Sequence, residues 1–306
     1  MAPTINPKTA VLLLAHGSPD SVDEVAEFLL QVTGGRRLSD QVIEEVKHRY
    51  GMIGRSPLTD LTLQQAGLLA RELGLPVHVG MRNWKPFIAD AVGAMAGQGT
   101  TRAVAICLAP QNSRTSVGLY REALDRANIG GLEIDFVDAW HDHPLLIKAF
   151  VEKLRAGLDS ACREAGGKMP TILTAHSVPQ RTITEGDAYE AQVKETAALV
   201  AREAGLTGND WAFAFQSQGM SGGAWLGPTV EDTMRRFQQS GHACVFIQPI
   251  GFLCDHIEVL YDIDIGFKQF AGQQGMRLWR AESLNDSPLL VAALADIARS
   301  RLARAS

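Results

Sequence analysis

The chain has 306 residues, about twice the length of a common domain, so one large unit or two similar lobes both fit. Hydrophobic residues at 46% and charged residues at 21% are in the range of folded globular proteins and exclude a disordered chain. With 29 Lys and Arg against 34 Asp and Glu, the net charge of −5 lacks the basic footprint of a nucleic-acid binder.

The first apolar run, residues 10–15, predicts a strand, and helical periodicity follows at 21–32, 40–49 and 60–73. A strand at 76–81, a helix at 87–97, a strand at 102–109, a helix at 115–127 and a strand at 132–137 come next. The remainder reads as helix 145–165, strand 170–175, helix 188–204, strand 211–216, helix 229–240 and strand 243–250, then helix 256–270, a weaker strand at 276–280 and helix 287–304. Alternating strands and helices predict an α/β architecture with parallel sheets, helices on both faces and right-handed crossovers. The longest apolar runs, such as Ala10–Ala15 and Ala103–Pro110, fall far short of the ~20 residues of a membrane span. Met1–Lys8 lacks the basic flank, apolar run and cleavage site of a secretory signal, so a cytoplasmic protein is expected, with a monomer as the default state. Cys107, Cys162, Cys244 and Cys254 are too widely spaced for a Cys-x-x-Cys element and are expected to be reduced.

An internal echo organises the chain. Leu13-Leu14-Ala15-His16-Gly17-Ser18-Pro19 is similar to Leu173-Thr174-Ala175-His176-Ser177-Val178-Pro179, and each half has a further strand ending near proline, at Pro110 and Pro249. The echo predicts two lobes of similar topology, residues 1–142 and 143–306, with the loops at the carboxyl ends of their strands facing a shared cleft. The C-terminal helix is expected to pack back on the first lobe.

His176 directly follows a predicted strand, at the edge where open α/β folds place ligands, although a histidine there also serves to cap a loop. Its candidate partner lies in Cys254–Asp262, which reads as strand, turn and helix. Asp255, Glu258 and Asp262 fall at i, i+3 and i+7 and would form one acidic stripe, while Asp255 and Glu258 read equally as a capping box. His176 and Glu258 together offer imidazole and carboxylate, ligands suited to a divalent first-row metal. Two ligands make an open, labile site rather than the closed four-ligand site of structural zinc. Asp255 and Asp262 would then serve as a proton relay or an outer metal position.

His16 ends the first strand, so the echo sets it across the cleft from His176. Neither Gly-x-Gly-x-x-Gly nor a Walker sequence occurs, which demotes nucleotide binding. Arg36, Arg37, Arg49, Tyr50, Arg55, Arg82, Trp84, Lys85, Arg114 and Tyr120 gather cations and planar rings in the first half. They read either as solvated surface or as the binding surface of a large flat ligand with carboxylate arms, to which Trp225 adds a further ring.

These residues carry a resemblance to the ferrochelatases, enzymes that insert ferrous iron into a porphyrin. The resemblance spans nearly the whole chain. It rests on Gly17-Ser18-Pro19-Asp20, Arg49-Tyr50 with Ser56-Pro57-Leu58, Thr174–Pro179 followed by Gly186-Asp187-Ala188-Tyr189, Gln216-Ser217, Trp225-Leu226-Gly227-Pro228, Asp255–Tyr261 and Arg280–Asn285. Leu108–Tyr120 and Glu258–Asp262 resemble most the soluble branch acting on coproporphyrin III, whose iron product a later enzyme decarboxylates to haem. The resemblance implies two similar Rossmann-like lobes, each with a four-stranded parallel sheet flanked by helices, and a ligand cleft between them. It implies that His176 and Glu258 bind the entering iron and that Arg49, Tyr50, Ser56 and Tyr120 contact the porphyrin. Arg82, Trp84 and Trp225 are further expected substrate contacts, the two tryptophans as cleft walls that hold the ring bent.

Three departures from the family pattern stand out. His16 replaces a tyrosine able to coordinate product iron axially, and Thr33 aligns with an arginine expected to meet a propionate, a role open to Arg36 or Arg37. Gly266 stands where a further outer carboxylate often lies. No cysteine follows Cys254, so no C-terminal iron–sulfur cluster is expected, and no prosthetic group, ferrous iron being a substrate. The expected partners are a porphyrin, ferrous iron and a downstream haem-pathway enzyme. Rival readings are insertion into protoporphyrin IX, a sirohydrochlorin-type cobalt or iron chelatase, and a non-enzymatic tetrapyrrole carrier.

Overall fold

A computed structural model describes residues 8–128, 130–219 and 223–303. Its strands are β1 (Thr9–Ala15), β2 (Val77–Met81), β3 (Arg102–Cys107), β4 (Glu133–Val137), β5 (Thr171–His176), β6 (Trp211–Gln216), β7 (Cys244–Pro249) and β8 (Arg277–Arg280). In the first half the helices are α1 (Val25–Val32), α2 (Asp40–Ile53), α3 (Leu58–Leu73), α4 (Ile88–Gly97) and α5 (Val117–Ala127). After them come α6 (Pro144–Ala165), α7 (Gln180–Thr184), α8 (Tyr189–Ala204), α9 (Val230–Gln239), α10 (Ile257–Leu260), α11 (Lys268–Gln273) and α12 (Pro288–Ala303).

The strands form two four-stranded parallel sheets, ordered β2-β1-β3-β4 and β6-β5-β7-β8. In both, the first strand of the half sits second and the third strand sits beside it. The echoed segments at Leu13 and Leu173 therefore leave equivalent strands, β1 and β5. A parallel strand covered on both faces has no polar side, and Ala10–Leu14 and Ala103–Ile106 are accordingly inaccessible.

Alternate residues of β1 serve different layers. Leu12 and Leu14 pack with Ile88, Val92 and Met95 of α4 and with Val117 and Leu124 of α5. Val11 and Leu13 face the other way, into a core shared with Leu69 of α3, Phe150 of α6, Leu294 of α12, and Leu173 and Phe246 of the second sheet. That common core joins the two halves. The far face of the second sheet is covered by Val230 and Met234 of α9 and by Ile263 and Phe267. α12 returns to the first sheet, where Arg102 donates to the carbonyls of Arg301 and Leu302 and Arg301 pairs with Asp135 at 3.1 Å. Among the described residues no helix is long and apolar enough to cross a membrane.

Two of the expected helices differ in detail. Residues 21–32 begin as a 3₁₀ turn, Val22–Glu24, before α1. The expected helix 256–270 is broken: α10 has four residues, a π-helical turn spans Asp262–Phe267, and α11 follows. The amides of Ile265 and Gly266 both reach the carbonyl of Tyr261, at 3.1 and 2.9 Å, inserting one residue into the helical turn. The anchors are non-local. Arg280 grips Asp264 with two nitrogens at 2.9 and 2.8 Å, and Ser217 Oγ donates to Asp262. The short helix α7 carried no periodic signal.

Candidate active site

His176 is the last residue of β5. Ser177 N donates to Gln216 O at 2.7 Å, and Tyr189 Oη donates to His176 O at 2.9 Å, so the backbone is fixed from both sides. His176 Nδ1–H donates to Ser177 O, which leaves Nε2 facing Glu258 Oε1 at 3.5 Å. Glu258 reaches this place because β7 continues through Ile250 to Gly251, where a Cβ would lie 2.8 Å from Ala175 Cβ and only glycine lets the two backbones approach so closely. Gln216 holds the helix that carries it, donating from Nε2 to Glu258 O at 2.9 Å while its Oε1 accepts from Thr174 Oγ1 at 2.7 Å.

A second imidazole completes the group. His256 caps α10 with an extended backbone, φ −161° and ψ −175°, donates from Nδ1 to Cys254 O at 3.0 Å and places Nε2 3.7 Å from Glu258 Oε2. The Phe252 ring separates the histidines, with centroids 6.4 Å from His176 and 4.6 Å from His256. Neither His256 nor Phe252 stood among the expected site residues. The one available signal was His-x-Glu at a helix start, since an extended residue two positions back faces the same side.

Burial alone would push the His176 pKa down and that of Glu258 up. Their mutual attraction outweighs it: His176 is raised and Glu258 is held well below the ordinary carboxylate range, with His256 adding to the latter. Burial and the nearby Glu258 charge push Asp262 up to about 6, against the hydrogen bond from Ser217. Ser217 adopts φ +58°, a strained conformation for a residue with a side chain. Cys254 is pushed up to about 12 by burial and so stays a thiol, not a soft thiolate ligand.

Near Glu258, the turn after β1 is tied to the end of β2 by Arg82 N to Ala15 O at 2.9 Å and Asn83 N to His16 O at 3.0 Å. Gly17 has φ +86°, and a Cβ there would lie 2.8 Å from Trp84 Cβ. His16 Nδ1–H donates to Gly17 O at 3.0 Å, leaving a lone pair on Nε2. The His16 residue is open to solvent on one side. Crowding by protein on the other, with the Arg82 cation, holds its pKa down to about 4 despite the attraction of Glu258. Phe28 meets the rings of His16, Tyr50 and Trp84 edge to face at 5.9, 6.5 and 6.0 Å.

The structure brings together most of the expected site residues, with three corrections. Arg49 pairs with Glu45 at 3.0 Å and lies 5.3 Å over the ring of Tyr261, so it spans from α2 to the second half. Arg82 lies 5.7 Å over the ring of Tyr120, and Tyr50 Oη bonds Ser18 Oγ at 3.1 Å. Trp225 is half-buried, and its ring packs against Gly219. The first correction is Trp84, which is 1% exposed beneath the Gly17 turn and supports the cleft rather than walling it. The second is that Tyr50, Ser56 and Tyr120 are almost wholly buried, at 3%, 2% and 5%, with Ser56 Oγ accepting a long bond from Leu58 N at 3.5 Å. The third is the acidic stripe. Asp255 precedes α10 and points away from Glu258, accepting from Ser283 Oγ at 2.8 Å and Asn285 Nδ2 at 2.9 Å and pairing with Arg280 at 3.2 Å. Arg37, a candidate for the missing propionate contact, pairs with Asp40, and both are largely exposed. Among the described residues no three His, Cys, Asp or Glu side chains converge to hold a metal.

Two four-stranded parallel sheets sharing one core, with an imidazole–carboxylate pair at the carboxyl end of β5, fit a metal chelatase, the class of lyase to which the chain's relatives belong. The fold agrees with a sirohydrochlorin chelatase from Bacillus subtilis subspecies spizizenii, solved in complex with cobalt. It has a TM-score of 0.59 at 12% identity, covering 96% of this chain and 94% of that one. The chain belongs to the ferrochelatase family: the Ferrochelatase family model matches residues 8–302. A ferrochelatase of Acidobacterium capsulatum is 54% identical, covering 97% of this chain and 95% of its own. A coproporphyrin III ferrochelatase of Geobacillus sp. strain WCH70 is 36% identical, covering 96% and 98%.

Proposed function

We propose that the protein inserts ferrous iron into coproporphyrin III, acting as a cytoplasmic monomer that supplies a later decarboxylating enzyme. The observation that carries this reading is the His176–Glu258 pair, 3.5 Å apart and each about one-third exposed, near His16 on the turn after β1 and Arg82 at the end of β2. In this division of labour the first half holds the porphyrin and the second half handles the metal. The cations Arg49 and Arg82 suit a ring bearing several carboxylate arms, and the relatives named for coproporphyrin III support that choice.

Insertion has to strip water from the ion and remove two pyrrole protons from the ring. The mutual neutralisation of His176 and Glu258 holds the two together without a metal, and an arriving dication displaces the proton between them to solvent. As the ion passes to the ring nitrogens and leaves Glu258 and His176, these two groups are free to take up the two pyrrole protons. Asp262, which titrates at about 6 and lies beyond Glu258 on the π-helical turn, passes them outward through its Ser217 contact. His16, neutral and with a free Nε2 lone pair, is the candidate axial ligand for product iron.

The test is anaerobic ferrous-iron insertion measured side by side with coproporphyrin III, protoporphyrin IX and sirohydrochlorin. Highest kcat/KM with coproporphyrin III is expected. Equal or better turnover of either other ring would overturn the substrate assignment, and binding without insertion into any ring would overturn the enzymatic one.

A further inference from the structure

The loop that carries the metal face is held by the opposite half of the molecule. Gln65, on α3, is fully buried and donates from Nε2 to Cys254 Sγ at 2.9 Å and to the backbone oxygen of Asn285. Both contacts lead to the same short segment. The carbonyl of Cys254 accepts the Nδ1–H of His256, and Asn285 Oδ1 accepts from Asp255 N at 2.9 Å while its Nδ2 donates to Asp255 Oδ2. Asn285 itself is held at φ +48° and bonds Leu253 O at 2.8 Å. At the far end of the segment, Arg49 of α2 covers the ring of Tyr261. Residues 254–261, with His256 and Glu258 between, are thus gripped at both ends by helices of the first half.

We propose that Gln65 is a positioning residue for the metal face: it sets His256 and Glu258 against the half that holds the porphyrin. The inference rests on the reading that Glu258 receives the iron. Its physical basis is that Gln65 Nε2 bridges Cys254 and Asn285 from a dry site, its Oε1 having no partner among the described residues, so that losing the donors releases both acceptors at once. The loop then shifts to find another donor. A displacement near 1 Å at a reacting group reduces rate up to about a hundredfold. Porphyrin binding, which depends on other residues, has no reason to change.

The test is Gln65→Met, which keeps the length and bulk of the side chain and removes both donors. Steady-state kinetics under anaerobic conditions should show kcat/KM for ferrous iron lowered roughly ten- to a hundredfold, with a higher KM for iron. The Kd for coproporphyrin III, from quenching of its fluorescence, should stay within about twofold. Gln64→Ala, which breaks the neighbouring exposed bond to Asp286 (2.7 Å) but does not touch the Asp255 segment, should leave both values unchanged. If Gln65→Met fails to fold, Asn285→Gly carries the test, since glycine tolerates the positive φ and removes the two bonds to Asp255. Iron kinetics within twofold of wild type in the folded variant would overturn the proposal, as would porphyrin Kd and iron KM rising in equal proportion. Glu258→Gln is assayed beside it. Normal insertion by that variant would sink the site reading itself, whereas an inactive Glu258→Gln with an unaffected Gln65→Met would sink only the positioning role.

Discussion

Glu258→Gln changes one charge at nearly constant shape. At 3.5 Å the attraction between Glu258 and protonated His176 amounts to about 5 kcal/mol at the effective dielectric of a protein surface and about 1 kcal/mol in bulk water. With each side chain about one-third exposed, solvent screening brings the interaction to about 2 kcal/mol. The pair's pH dependence has two limbs. His176 is raised, so its contribution is complete below its ordinary value of 6.5 and lost as pH rises through the raised one. Glu258 is depressed, so its contribution is complete above its ordinary value of 4.5 and lost as pH falls through the lowered one. The difference in stability between wild type and Glu258→Gln should therefore be largest between pH 4.5 and 6.5, at no more than about 2 kcal/mol, and shrink on both sides. Denaturant unfolding across that range measures it, and NMR titration should show the His176 pKa falling once its partner is gone. Anaerobic iron insertion should drop about 10²- to 10⁴-fold, the range of a lost general base, with porphyrin affinity retained. A variant that inserts iron within about tenfold of wild type, or a stability difference independent of pH, would refute the pairing.

Asp262→Asn should remove an acid limb from the pH–rate profile: in wild type kcat falls as pH drops through about 6, where the relay carboxylate becomes protonated, and in the variant a lower kcat becomes flat there. Because burial raises this carboxyl, its ionisation disfavours the folded state, so the same variant should gain stability relative to wild type above pH 6, read by thermal unfolding at pH 5 and pH 8. Arg49→Ala should raise the KM for coproporphyrin III more than it lowers kcat, and a pure kcat loss would assign Arg49 to the loop that carries Glu258 instead. Gly251→Ala forces a Cβ to 2.8 Å from that of Ala175 and should cost roughly 1–3 kcal/mol in unfolding free energy while impairing insertion through the displaced His176.

The strands were legible because parallel strands buried on both faces leave apolar runs with nothing else to do, as in Ala10–Leu14. His176 and Glu258 were legible because each follows such a strand closely, where side chains of the right chemistry meet ligands. What stayed hidden is set by partners distant in sequence. The π-helical turn depends on Arg280 and Ser217 pulling on Asp264 and Asp262, and a 3.6-residue period is blind to that. Asp255 looked like part of the metal face at helical spacing, but it precedes the helix and is turned away by Ser283, Asn285 and Arg280. Trp84 looked like a cleft wall from composition alone, since nothing local shows that Gly17 lies on top of it.

The echo between the halves extends to structure but not to charge, and the difference supports the proposed division of labour. His16 and His176 leave equivalent strands, and each donates its Nδ1–H to the carbonyl of the next residue. Local geometry therefore presents Nε2 in both. What differs is the neighbour. His16 has the Arg82 cation beside it and is held near 4, whereas His176 has the Glu258 carboxylate at 3.5 Å and is raised. The first therefore offers an Nε2 lone pair, while the carboxylate beside the second favours a proton on its Nε2. In the proposed insertion, one duplicated strand end would thus provide a coordinating imidazole at His16 and a proton-exchanging imidazole at His176. Under that proposal a ring that must lose two protons while gaining a metal would use both, and two histidines with the same neighbour would supply only one of them.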